Sequence, residues 1–377
     1  MNLADMLSYA DISQLTRIAQ RYGCSCNEHS KHELIQSILT ALGRKDVFEH
    51  HVLSMSLEEL RFLNSILFDQ RNLFSLEELV ARVQQTRFDG DPADHTIPSP
   101  RDIIVKFKHS GWLFNGCSPN TKYLFQFPDD LKVRFREVMH RKFQQELIFA
   151  SEPEAYRDED GRLGEDLVQL LRYIHTEQVP LNAEGVMYKK NQQQLIETFY
   201  VSEPLVQKGE WRFGYGRRFH DYPNRLSLLY DYAFYQGWME EREGCVVLSA
   251  AGEERMVNGP SYESIQPMYK FWLKLYKNAI PNLQAIVHWI YWCTGKWTAI
   301  PTLEQVLLPY VKPFYYDTPA SIIRLRVIRM MVHLGLLRYG EHPELGPLVQ
   351  LTKRGQTIIQ AVSVPHDDKI KLRLDKR

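Results

Sequence analysis

A helix that ends in a glycine, followed by an apolar β-prone run and a turn, recurs three times along the chain, and such recurrence constrains the fold more than any other feature. The copies are IIVKFKHSGWLF, LSLLYDYAFYQGWMEE and IIRLRVIRMMVHLGLLRYG, with Gly111, Gly237 and Gly335 at the helix ends. A glycine there supplies the left-handed terminating residue, and the residues after it favour strands. Each copy therefore predicts the same unit: a helix, a glycine and a β-hairpin. Upstream of each glycine lie further amphipathic segments, LEELRFLNSIL with SLEELVARV, DLVQLLRYI with QQQLIETF, and NLQAIVHWIYWCTGKW with TLEQVLLPYV. A stretch rich in Gly, Arg and aromatics, WRFGYGRRFHDYPN, interrupts the middle copy.

Two helices, a third that ends in glycine, and a hairpin make a winged helix. The expected fold is thus mainly α with small β-wings, a row of tandem winged-helix domains preceded by a small helical module. The module occupies 1–52 and the three units 53–150, 160–258 and 262–377, the last with a basic tail. The acidic SEPEAYRDEDGR stretch between the first and second units reads as a hydrated linker. In the N-terminal module, helices over Ile12 to Tyr22 and Lys31 to Leu42 flank a Gly-Cys-Ser-Cys-Asn turn, and Ser30 with Glu33 has the form of a capping box.

LTRIAQRYG and SKHELIQSIL resemble the SAP or Rho-N-terminal-like helical modules, a likeness that implies nucleic-acid contact. The order of units from Asp166 through Ile359, with the phrase VQLTKRGQTII closing the third, is similar to bacterial helicase-associated proteins, companions of XPB-type helicases. That resemblance implies successive winged helices and a helicase partner. The middle unit departs from the family's Leu-Thr-x-x-Gly phrase, carrying Ser249-Ala250-Ala251-Gly252 in its place, and the chain has no GxxxxGK[ST] phosphate loop of its own.

With 46 basic and 46 acidic residues the net charge is zero, so nucleic acid can be met only through a local patch. The helix before each glycine is the one a winged helix lays in the major groove. The first carries Arg101, Lys106 and Lys108; the third carries Arg324, Arg326 and Arg329, with Lys353 and Arg354 after its wing. The insertion offers Arg212, Arg217 and Arg218 beside Tyr215, a set that could stack on bases and bind phosphates but is more simply read as a long loop packing its aromatics onto its own domain. The middle helix, with Asp231 among Tyr230, Tyr232, Phe234 and Tyr235, suits protein packing better.

Chemistry is less in evidence. Cys24, Cys26, His29 and His32 are zinc-ligand types, but they crowd one turn and one helix start, whereas structural zinc draws pairs from separated elements. Asp129 and Asp130 beside Lys132 suggest a nuclease cluster, yet they serve more simply as first-turn acids of a helix from Asp130 to His140. No enzyme activity, metal or cofactor is expected. Five scattered cysteines, an acidic N-terminus and an apolar run limited to Ala285–Cys293 predict a reduced, cytoplasmic chain with a buried helix there and no membrane partner. The expected function is a non-enzymatic adaptor that binds DNA, a helicase or another DNA-processing protein; a protein-interaction scaffold, docking through its aromatic middle unit, is the alternative.

Overall fold

The computed structural model describes residues 1–88, 99–207, 215–365, 368 and 370. Arg212, most of the 88–100 loop and nearly all of the basic tail lie outside the described residues. The protein is mainly helical with small antiparallel sheets, and it divides into two compact units, Met1–Glu146 and Leu147–Arg377.

The first unit holds α1 (Leu3–Tyr9), α2 (Ile12–Arg21), α3 (Lys31–Gly43), α4 (Lys45–Leu53), α5 (Leu57–Leu67), α6 (Leu76–Gln85), α7 (Pro100–His109), strands β1 (Phe114–Asn115) and β2 (Phe125–Gln126), and α8 (Asp129–Glu146). Caps set the helix starts: Asp11, Ser30, Ser56, Ser75 and Ser99 each accept an early backbone N–H. The box expected at Ser30 is only half made, because Glu33 accepts from the Asn27 amide instead. The N-terminal module does not stand apart. Phe135 on α8 packs 4.8 Å from Phe48 of α4 and 5.2 Å from Trp112, so one aromatic core serves module and first block together. Asp129 and Asp130 are indeed first-turn residues, and they accept from the Met1 amino group and the Leu3 amide.

The second unit contains β3 (Tyr156–Arg157), α9 (Arg162–Thr176), β4 (Val179–Pro180), α10 (Lys189–Glu197), α11 (Asn224–Gln236), β5 (Met239–Arg242), β6 (Cys245–Leu248) and α12 (Ala250–Asn258). It continues with α13 (Ile265–Tyr276), α14 (Leu283–Cys293), β7 (Thr298–Ala299), α15 (Ile300–Leu307), a long helix α16 over 319–333, β8 (Leu337–His342), β9 (Gly346–Leu351) and α17 (Lys353–Ala361). Helix α14 is the buried apolar helix foreseen, with Trp289, Ile290 and Cys293 enclosed.

One path is traced three times. Two helices with a short extended segment between them lead to a third helix, a left-handed glycine, and an antiparallel hairpin. The glycines are Gly111, Gly237 and Gly335, with φ of 67°, 71° and 67°. The hairpins are β1–β2, β5–β6 and β8–β9. In every copy the segment between the first two helices pairs antiparallel with the hairpin's second strand: Phe74 with Phe125, β4 with β6, and β7 with β9. This third strand is too short to show as alternation in the sequence.

The last two copies close the hairpin alike. Thr352 Oγ1 donates to Gly335 O at 2.8 Å and accepts from Gly355 N at 2.8 Å, tying the start of α17 to the end of α16. Ser249 Oγ does the same with Gly237 O at 2.5 Å and Gly252 N at 3.1 Å. Ser249-Ala250-Ala251-Gly252, which departs in letters from Leu-Thr-x-x-Gly, makes the same hydrogen bonds.

The acidic stretch before α9 is not a hydrated linker. Tyr156 and Arg157 pair with Gly340 and Tyr339, adding β3 to the edge of the third copy's sheet, and Glu159 is 1% exposed. The boundary between units lies earlier, after Glu146.

Candidate nucleic-acid interface

The basic residues singled out by sequence fall into three groups according to their exposure and partners. The first group is exposed, with no ion-pair partner among the described residues: Arg101 on α7, Arg329 on α16 and Lys353 at the start of α17. Lys108 is half-buried, its ammonium 5.5 Å from the centre of the Phe125 ring, and burial with the nearby Arg17 lowers its pKa.

A second group is exposed or half-buried but already neutralised. Lys106 pairs with Glu59. Arg324 makes a two-pronged pair with Glu304, at 2.7 and 2.6 Å. Arg354 pairs with Asp160 at 2.7 Å. Arg218 reaches Glu241 at 3.2 Å and the Glu184 carbonyl at 3.0 Å, while Arg217 lies 3.7 Å over the Phe234 ring. The sequence could not show these partners, because each carboxylate sits on a different element.

Arg326 forms the third group alone, and here the expectation of a surface phosphate contact is corrected. Its guanidinium pairs with Asp317 at 2.9 Å, lies 4.5 Å from the Phe219 ring centre, and is 7% exposed. Helix α16 is wound as a π-helix over Ile322–Ile328, and α-helical spacing therefore does not predict which arginines share a face. Arg326→Ala is expected to lower stability by about 2–3 kcal/mol, since it strands a partly buried carboxylate, while Arg329→Ala stays within about 0.5 kcal/mol. Urea melts of the two variants check this; equal midpoints would remove the distinction.

Tyr215 is turned inward as well. It is 3% exposed, stacks on Tyr276 at 4.7 Å and donates to Asp317 at 3.1 Å, so it offers no platform to a base. The backbone amide of Arg217 donates to Asp231 at 3.1 Å, and burial pushes that carboxyl up to about 7. Helix α11 is enclosed from Asn224 to Ala233. Tyr230 and Tyr232 of α11 are consequently core, and neither is free to form a docking face.

The hairpins differ in charge. The second bears Glu240, Glu241 and Glu243 against the one cation Arg242, and the third Glu341 and Glu344 against Arg338, whereas the first bears Lys122 and a Tyr123 that is 76% exposed. Acidic hairpins repel phosphate, so the first copy holds the more favourable pairing of helix and hairpin.

Sequence reasoning missed a buried ionic cluster in the second unit. Arg225 of α11 is wholly buried; its Nε donates to Asp166 at 2.6 Å and its Nη1 to Glu159 at 2.6 Å. Its backbone amide donates to Glu203 at 2.6 Å. His333, at the end of α16, has Nδ1 3.0 Å from Glu159 and Nε2 3.2 Å from Glu203. Burial alone would drive His333 neutral, but Glu203 and Glu159 outweigh it and raise its pKa. Burial likewise opposes charge on Glu159, yet His333 and Arg225 hold that carboxyl at about 2. The cluster is closed to solvent and joins the second copy to the third. Only the arginine, at a helix start rich in aromatics, could have hinted at it.

No group of three or more His, Cys, Asp or Glu side chains poised to hold a metal occurs among the described residues, and Cys24 Sγ instead lies 3.6 Å from the Ser37 carbonyl. No described helix is long and apolar enough to cross a membrane. No protein-family model, curated protein or solved structure matches the chain.

Proposed function

We propose that this protein is a non-enzymatic adaptor built of tandem winged helices, which contacts duplex DNA mainly through its first winged helix and works beside a DNA-processing partner such as a helicase. The observation that carries the reading is the first copy's combination of a helix before the glycine that bears exposed Arg101 and half-buried Lys108 with a hairpin that bears exposed Lys122 and Tyr123. Helix and wing are the two elements a winged helix lays on DNA, and there both carry positive charge. The threefold path of helix, strand, helix, helix, glycine and hairpin supports the fold assignment. In the third copy Arg329 and Lys353 remain for a secondary contact, against an acidic hairpin. The helicase companion rests on the ordering of units from Asp166 to Ile359.

Fluorescence anisotropy of the full chain with a short duplex, and with one of its strands, tests the reading. About four phosphate contacts would cost on the order of 100-fold in duplex affinity between 50 and 200 mM salt. Arg101→Ala with Lys122→Ala is expected to weaken binding roughly 10-fold, and Arg324→Ala with Arg329→Ala less than that. Absence of binding to either DNA at low salt would sink the reading and leave the scaffold alternative, whose docking face would have to lie outside α11.

A further inference from the structure

We propose that α2 of the N-terminal module and α7 of the first winged helix form one composite face for the phosphate backbone of nucleic acid, centred on Arg17, Arg21, Lys108 and His109. The inference rests on the DNA reading above and deepens it, because it makes the module and the winged helix a single binding surface.

The two helices are locked together by contacts that leave their cations on the outside. Ile18 packs against the end of α7, where a Cβ on Gly111 would lie 3.2 Å from its Cγ2, and Tyr22 donates its hydroxyl to the Ser110 carbonyl at 2.8 Å. Outside this seam Arg17 Nη1 stands 3.3 Å from His109 Nε2, so a guanidinium donates to an imidazole where a carboxylate would ordinarily be found. Arg21 follows one turn later on α2, exposed like Arg17. The row continues onto α4, where His51 meets Tyr22 edge to face at 4.8 Å, with His50 next to it.

Several other basic groups of this unit are matched, Lys106 with Glu59, Arg87 with Glu58, Arg141 with Glu49 and Arg44 with Asp46, whereas Arg101 is left open like Arg17 and Arg21. Arg17 and Arg21 have no carboxylate partner among the described residues, and Asp11 is the acid that acts on Lys108. Burial first, and then Arg17, Lys108 and Arg21, lower the pKa of His109; burial, Arg21 and His50 do the same to His51. Like charges held together at a helix crossing destabilise the fold, in a chain whose overall charge is zero. Phosphates along a nucleic-acid strand relieve that repulsion, and a planar guanidinium fork such as that of Arg17 binds them two-pronged.

The test is a salt titration of duplex affinity by anisotropy on the full chain and two variants. Arg17→Ala with Arg21→Ala should weaken binding roughly 10-fold at low salt and make the slope of log K against log salt shallower by about two, near 0.9 per lost phosphate contact. Arg17→Lys with Arg21→Lys should keep the wild-type slope. Both arginines are exposed, so the lysine variant should melt with the wild type and the alanine variant at the same temperature or slightly above it, the repulsion being relieved. Wild-type binding with an unchanged slope in the alanine variant overturns the composite face and leaves the DNA reading standing. No binding by the wild type overturns both. Displacement of the duplex by polyglutamate at an equal concentration of charges would reassign the face to an acidic protein segment.

Discussion

Replacing Arg225 with methionine is expected to lower the stability of the second unit by about 3–5 kcal/mol, the cost of breaking a buried charge pair. Glu159 and Asp166, at 1% and 0% exposure, would keep their burial and lose the guanidinium that joins them. At roughly 2–4 °C per kcal/mol for a domain of this size, the melting temperature should fall by about 10 °C. Arg225→Met with Asp166→Leu should recover part of the loss, because an apolar pair no longer leaves a carboxylate stranded. A urea midpoint for Arg225→Met no lower than that for exposed Arg172→Met would refute the role given to the cluster.

The same cluster sets a pH window. The pKa of His333 is raised in the fold, so its contribution is complete below the unfolded value of about 6.5 and is lost as pH rises through the folded value. Glu159 and Glu203 are lowered, so theirs is complete above about 4.3 and is lost on acidification, for Glu159 towards about 2. The groups facing His333 are these two carboxylates and Arg225, itself bound to Asp166. Stability should therefore be greatest between about pH 4.3 and 6.5 as far as His333, Glu159 and Glu203 contribute, while Asp166, whose pKa burial raises, acts in the opposite sense on acidification. His333→Gln should flatten the alkaline limb in pH-dependent urea melts; a limb unchanged in that variant assigns it to other groups.

Gly355→Ala should cost about 3 kcal/mol, the upper end of the range for overpacking. An added Cβ would lie 2.3 Å from the Leu336 carbonyl oxygen, and at Gly252 the corresponding distance to Trp238 O is 1.9 Å. Both neighbours are backbone at the glycine end of the preceding helix, and moving them would open the hairpin. Thr352→Val, which removes two hydrogen bonds but keeps the shape, should cost about 1–2 kcal/mol, whereas Ser249→Thr should be close to neutral. Thermal melts order these variants. A Gly355→Ala protein as stable as Thr352→Val would show that the turn relaxes and that close approach is not its constraint.

Local chemistry was legible in the sequence. Glycines 111, 237 and 335 terminate their helices in the left-handed conformation, the strand pairs follow them, and α14 is buried, because helix ends, turns and apolar periodicity depend on residues a few positions apart. The hydroxyl at Ser249 was visible too, though its equivalence to Thr352 emerged only from its partners, Gly237 O and Gly252 N. What the tertiary structure decided was the fate of each charge. Arg324, Arg326 and Arg329 look alike on one helix, yet the first meets Glu304, the second is buried against Asp317, and the third is left to solvent. Glu159 reads as part of a hydrated acidic run, but it lies against His333, 174 positions away. The free energy of a charge depends on burial and on the sign of its neighbours, and those neighbours arrive from distant segments only when the chain has folded. The sequence by itself determined the order of helices, glycines and hairpins, and packing determined which cations remained exposed to solvent.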